Sequence, residues 1–377
     1  MSDILIFNGF IKDVQYHACL TSKLTSYPLS RFDINTAKTY GIIEFDGGQI
    51  AYSKWVSPKR TRSYPFERIY NTYNSSKILT VIPVLKDEGH DGDSDRIQYS
   101  TISWMNLLNV YIVLAYYESA EKNRSPKQCN RHKLTKQKLN VQLVNSQISE
   151  IIKYKQSALH WNRSLFEDKF TEVYQKAIDS YELISEKNQV RVHSCESKQE
   201  YLAKIKADYQ QFKDISLKGS QGAAVREAKT LHKLEYLNDG FKSIFYIHNY
   251  LGGVYHLTAD EIVYENGKYI IQESKNSVKN FFPAISDIKD GLFKLILFAN
   301  IDSLQLNHVS INFSTKLKLT GCGIKGSILF PCSDKEFQNF LYDNSHHVKN
   351  KHKEILQKLR LEAKHNKNLT IEVGGCL

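Results

Sequence analysis

The sequence predicts an α/β protein in which strand and helix signals alternate at both ends and a long helical stretch lies between. Three observations carry this. Tyr40 to Phe45 (YGIIEF) and Ile78 to Leu85 (ILTVIPVL) are β-branched, apolar runs of the length of buried strands. Apolar residues recur at three- to four-residue multiples from Ile148 to Tyr181, the spacing of an amphipathic helix. From Ser243 onward strand signals return, around a helical stripe formed by Ile288, Leu292, Leu295, Ile296 and Ala299.

The elements follow in order. Thr101 to Leu108 reads as a short helix and Val110 to Tyr117 as another buried strand, so strand, helix and strand form a βαβ unit. Lys122 to Lys138 holds seven Lys or Arg, no acid and no apolar period, and is expected as a solvated loop. The helix from Ile148 is expected to break near Asn162, and a second helix is expected over Lys198 to Phe212. GSQG at Gly219 interrupts the pattern and marks a boundary. The expected organisation is an α/β region over 1–140, a helical segment over 141–218 and a third region over 219–377. Within the last, Gly222 to Leu237 is a helix. Ser243 to Ile247, Glu261 to Tyr264 and Tyr269 to Gln272 are strands, Ile285 to Ala299 a helix, Val309 to Phe313 a strand and His346 to Lys367 a basic helix.

Composition excludes several classes. Aromatic residues make up 12% of the 377, which argues against a disordered chain, and 18 Gly with 7 Pro exclude collagen-like sequence. The formal charge of +11 suits a polyanionic partner. MSDILIFNGF has no signal-peptide pattern, and the most apolar run, VYIVLAYY, is too short for a bilayer. The six cysteines contain no C-x-x-C, as expected for reduced thiols in a cytoplasmic protein. Cys129 with His132, and His346 with His347, lack a consistent finger spacing, so structural zinc is not expected.

The informative stretch is TADEIVYENGKYIIQESKNS, from Thr258 to Ser277. Asp260 opens one strand, Asn266-Gly267 is a hairpin turn, and the second strand ends in Glu273-Ser274-Lys275. Alternation puts Glu273 and Lys275 on one face, and twist can bring Asp260 to the same end. Two acids and an ammonium at one spot are what phosphodiester hydrolysis needs. The acids can hold Mg²⁺ through hard oxygen ligands, and the lysine can orient or deprotonate a water. The bland alternative is a hairpin with ordinary surface ion pairs.

At these residues the chain resembles the PD-(D/E)XK nuclease superfamily. Asp260 matches the first acid, Glu273 the second and Lys275 the lysine; Ala259 stands where the family pattern has proline. A helix and a strand follow the motif, as in the family's core. The likeness covers roughly residues 219–319. It implies a mixed central sheet flanked by helices, a restriction-endonuclease-like core, here with the N-terminal α/β region and a long helical insertion. An upstream helix in the family often supplies another acid, for which Glu227 is the candidate, with Glu235 behind it. The resemblance is to type II restriction endonucleases, and implies Mg²⁺-dependent cleavage of double-stranded DNA by a homodimer. A repair or RNA-processing nuclease on the same core stays open, as does a non-catalytic nucleic-acid-binding protein.

Base reading would fall to the N-terminal region. KWVSPKRTRSYPFERIYNTY interleaves Lys54, Lys59, Arg60 and Arg62 with aromatics, a pattern for phosphate, guanine and base-stacking contacts or simply for a solvated loop. Asn276, beside Lys275, is a further DNA-contact candidate. KDEGHDGDSDR (Lys86 to Arg96) starts like an EF-hand, but Arg96 and Ile102 replace its Gly and bidentate Glu. That loop is left as a second metal site, a cytosine reader or a solvated turn.

Overall fold

The computed structural model describes residues 4–59, 64–127, 129, 131–207, 241–249 and 254–375. It is a mixed α/β protein with a helical region, and contacts divide it into two compact units. One unit comprises residues 23–218; the other joins residues 1–22 to 219–377. The division at 218/219 falls at GSQG. Segments 23–140 and 141–218, read separately from sequence, fold as one unit, because the helices of the second pack on the sheet of the first. Among the described residues no helix is long and apolar enough to cross a membrane.

The 23–218 unit is built on a mixed five-stranded sheet in the order Ser26–Pro28, Tyr40–Phe45, Gly48–Lys54, Ile78–Pro83 and Val110–Ala115. The last strand is fully buried although, among the described residues, it has no strand neighbour on its outer side. Its free backbone groups are met by side chains from helices. Gln147, on helix Val141–Lys153, accepts the Leu114 N–H at 3.0 Å and donates to the Leu114 carbonyl at 2.7 Å. Asn162, on helix Ala158–Ser164, does the same for Ile112 N–H and Val110 C=O. An edge closed in this way offers no template to another chain. Asn162 is therefore a docking residue, and the α-helix is interrupted on both sides of it, at 154–157, where Ser157 caps the next helix, and at Leu165–Lys169, which is π-helical.

Two further differences have simple causes. The basic stretch expected as a loop contains the strand Leu134–Leu139, paired with Tyr117–Lys122. Only its end residues, Leu134 and Leu139, are buried, so its sequence carries little apolar signal. Where one strand was expected over Val309 to Phe313, there are two, Val309–Ser310 and Phe313–Gly321. Positive φ at Asn307 and His308 turns the first back onto Ser303–Leu306, and the chain then crosses to another sheet.

The second unit holds two five-stranded sheets. One runs Val254–Leu257, Ser243–Asn249, Leu5–Ile11, Ser303–Leu306, Val309–Ser310; the other runs Glu261–Glu265, Lys268–Asn276, Phe313–Gly321, Leu369–Gly375, Ser327–Phe330. Helix Ile285–Ala299 packs against both. Phe298 meets Phe245 at a ring separation of 4.8 Å, and Gly291 faces Leu317. Contact on two sides explains why residues 288–293 and 295–299 are all buried. Helix Asn350–His365 packs on the far strands of the second sheet.

Candidate active site

The hairpin sets the geometry. Asn266 and Gly267 have φ of 53° and 77° and form a two-residue turn with Glu265 opposite Lys268. Pairing continues to Glu261 opposite Gln272, so Asp260 and Glu273 are next in register at the open end. The Asp260 carboxylate accepts the Ser274 backbone N–H at 2.8 Å, which fixes it beside Glu273. Asp260, Glu273 and Lys275 are thus brought to one end of the strand pair. Strand Lys268–Asn276, helix Ile285–Ala299 and strand Phe313–Gly321 then form a parallel crossover, the order expected after the motif.

The helix adds two residues that sequence reasoning missed. Lys275 Nζ lies 3.6 Å from Asp290 Oδ2 and 3.9 Å from Glu273 Oε2; Lys294 Nζ lies 3.2 Å from the same Glu273 oxygen. Asp290 and Lys294 are four residues apart, on one helix face. Gly291 between them permits the close approach, since a Cβ there would stand 2.9 Å from Leu317 Cδ1 and 3.2 Å from Lys275 Cε. The available signal was a pair of charges four residues apart on the helix face opposite the apolar stripe.

Glu273 is completely buried. Burial pushes its carboxyl up to about 8; Lys294 and Lys275 oppose that rise, and the charge of Asp260 adds to it. Asp290 is raised in the same direction by burial, against the pull of Lys275 and Lys294. Glu273 Oε2 and Asp290 Oδ1 accept no hydrogen bond among the described residues. Lys294 donates instead to the other Glu273 oxygen, Oε1, at 3.4 Å, and meets Oε2 only as an ion pair. Ordinary surface ion pairs are exposed, and this group is not. A buried carboxylate oxygen that accepts no hydrogen bond and is balanced only by ion pairs suits a hard divalent cation, with Asp260 as a second oxygen donor.

A pH effect follows from the sign of the Glu273 shift. The folded chain keeps a proton that the unfolded chain releases near pH 4.5. Its contribution is full below about pH 4.5 and is lost as pH rises toward 8. In chelator, the melting midpoint is expected to fall between pH 5 and 8 by on the order of 5 °C more in the parent than in Glu273→Gln. Parallel pH profiles for the two proteins would contradict the assignment.

The remaining sequence candidates are placed as follows. Glu227, Glu235, Arg60 and Arg62 lie outside the described residues. Asn276 is exposed, and its Oδ1 accepts from the Thr320 hydroxyl at 3.0 Å. Lys54, expected as a DNA contact, turns its side chain inward. Its ammonium donates to the carbonyls of Ile34 and Ala37 at 2.5 and 2.8 Å, and burial lowers its pKa. It closes a loop from inside. Lys59 is more exposed and pairs with Asp95 at 3.5 Å.

The acidic loop is wired into its own unit. Ser57 donates to Asp95 at 2.5 Å, and Asp91 accepts the His132 N–H at 2.7 Å. Asp87, fully buried, pairs with Lys198 at 2.7 Å and with His193 at 2.9 Å. These contacts correct the picture of a merely solvated turn.

No protein-family model, no curated protein and no solved structure matches the chain. The functional reading therefore stands on the geometry of the chain itself.

Proposed function

We propose that the chain is a Mg²⁺-dependent endonuclease of double-stranded DNA that acts as a type II restriction enzyme. The observation that carries this reading is the buried Glu273, whose Oε2 accepts no hydrogen bond and is met only by the ammonium groups of Lys275 and Lys294, with Asp260 beside it. Asp260 and Glu273 are the residues that would hold the ion. When bound, Mg²⁺ supplies neutralisation of phosphate charge and a more acidic water.

The chain's own groups do the rest. Lys275, fixed between Glu273 and Asp290, orients the attacking water and takes part in its deprotonation. Lys294 offsets the Glu273 charge and, with Lys275, stabilises the negative charge that grows on the phosphate oxygens. A formal charge of +11 supports a polyanionic substrate. The assembly proposed is a homodimer, whose two-fold axis would match a palindromic site.

The test is digestion of a sequenced plasmid with Mg²⁺, followed by end sequencing. Discrete fragments with common ends support a restriction enzyme. A smear supports a nuclease of another role, and metal-independent binding without any cut would overturn the enzymatic reading. Ca²⁺ is expected to support tight DNA binding without cleavage, because it takes the same oxygen ligands with looser geometry and activates water less. Filter binding and gel assays in Ca²⁺, Mg²⁺ and chelator check this; equal cleavage in Ca²⁺ and Mg²⁺ would contradict it.

A further inference from the structure

We propose that His17, Cys19 and His365 form a zinc site that clasps the N-terminal segment to the end of helix Asn350–His365, independently of the nuclease centre. One donor atom from each of the three lies within 4.8 Å of the others. Cys19 Sγ is 3.7 Å from His365 Nδ1. Tetrahedral Zn²⁺, with bonds of about 2.3 Å to sulfur and about 2.0 Å to nitrogen, separates two such donors by roughly 3.5 Å. The pair therefore stands close to its liganded spacing.

The backbone that presents these donors is held by other groups. Glu362 is fully buried and accepts the Tyr16 hydroxyl at 2.7 Å, the Cys19 N–H at 2.6 Å and the Leu20 N–H at 3.1 Å. Asn366 accepts the His17 N–H at 2.7 Å and donates to the His17 carbonyl at 2.8 Å. Ala18, between the two ligands, is buried, while His17 is exposed and Cys19 half-buried. Preorganisation of this kind reduces the ordering cost of binding a metal.

Donor chemistry selects the ion. Two imidazoles and a thiolate suit Zn²⁺ far better than Mg²⁺ or Ca²⁺, which prefer oxygen. His365 is the last residue of its helix, where the dipole favours a cation. Three protein ligands leave one position for water, and a groove lined by Asp13, Asn300, Asp302 and Asn368 opens beside the two histidines. Burial, with Glu362 nearby, holds the Cys19 thiol up to about 12, so binding expels a proton. The clasp joins residues near position 20 to residue 365, a long loop whose closure costs the unfolded chain much entropy.

Titrating the metal-free full chain with Co²⁺, a spectroscopic stand-in for Zn²⁺, tests the site. The expected result is a thiolate-to-cobalt charge-transfer band that saturates at one ion per chain and is displaced by Zn²⁺. Cys19→Ser should lose the band, and His17→Ala and His365→Ala should each weaken Zn²⁺ binding by at least the roughly 10–100-fold that loss of an outer-shell partner costs. Zn²⁺, but not Mg²⁺, should raise the melting midpoint of the parent and of Glu273→Gln by several degrees. If Cys19→Ser folds poorly, alkylation of the parent mapped by mass spectrometry gives an independent readout, with Zn²⁺ expected to protect Cys19. A band that survives in folded Cys19→Ser, or a parent without either band or protection, overturns the proposal.

Discussion

Glu273→Gln is expected to slow DNA cleavage by on the order of 10³-fold or more while the protein still folds and binds DNA. The substitution keeps the shape of a completely buried side chain but removes the charge that a hard cation would use. Lys275→Ala should have a comparable effect, since it deletes the ammonium that reaches both Glu273 and Asp290. Asp260→Asn should follow, because an amide is the poorer Mg²⁺ ligand. Single-turnover cleavage, with Ca²⁺-supported binding as the control for folding, separates chemistry from affinity. A near-parental rate in Glu273→Gln or Lys275→Ala would sink the site assignment.

The second large effect concerns stability rather than chemistry. Lys198→Met is expected to destabilise the 23–218 unit by about 3–5 kcal/mol, because Asp87 would be left buried without its main counter-charge. Burial alone would raise the Asp87 carboxyl; Lys198 first, and then His193, more than reverse that and hold it below the ordinary range. The stabilisation is accordingly present at neutral pH and is lost as pH falls through that depressed value. Pairing Lys198→Met with Asp87→Asn should recover part of the loss, as a denaturation cycle would measure. Additive losses in the double variant would show that the pair is not coupled.

The hairpin was legible because its signals are local. Asn266-Gly267 dictates the turn, and once the turn is fixed the register, which runs to Glu261 opposite Gln272, brings Asp260 and Glu273 to the same end. The apolar stripe of residues 285–299 was legible for the same reason. Asp290 and Lys294 were not, since their role depends on which helix face meets the strand, a fact of tertiary packing. Lys54 reads in sequence as one more member of a basic run, yet its ammonium turns inward to two carbonyls. The meeting of His17 and Cys19 with His365 has no sequence signal at all, because the partners come from opposite ends of the chain.

The strand Leu5–Ile11 occupies the middle of its sheet, with Ser243–Asn249 on one side and Ser303–Leu306 on the other. On the ribosome this has a temporal meaning. At about 5–20 residues per second, strand Leu5–Ile11 waits roughly ten to fifty seconds for Ser243–Asn249 to be synthesised. The intervening 23–218 unit, with its own sheet and core, is synthesised in that interval. Until then LIFNGFI has both of its edges without the strands that cover them in the folded unit. Vectorial synthesis thus separates this strand in time, as well as in sequence, from both of the strands that flank it.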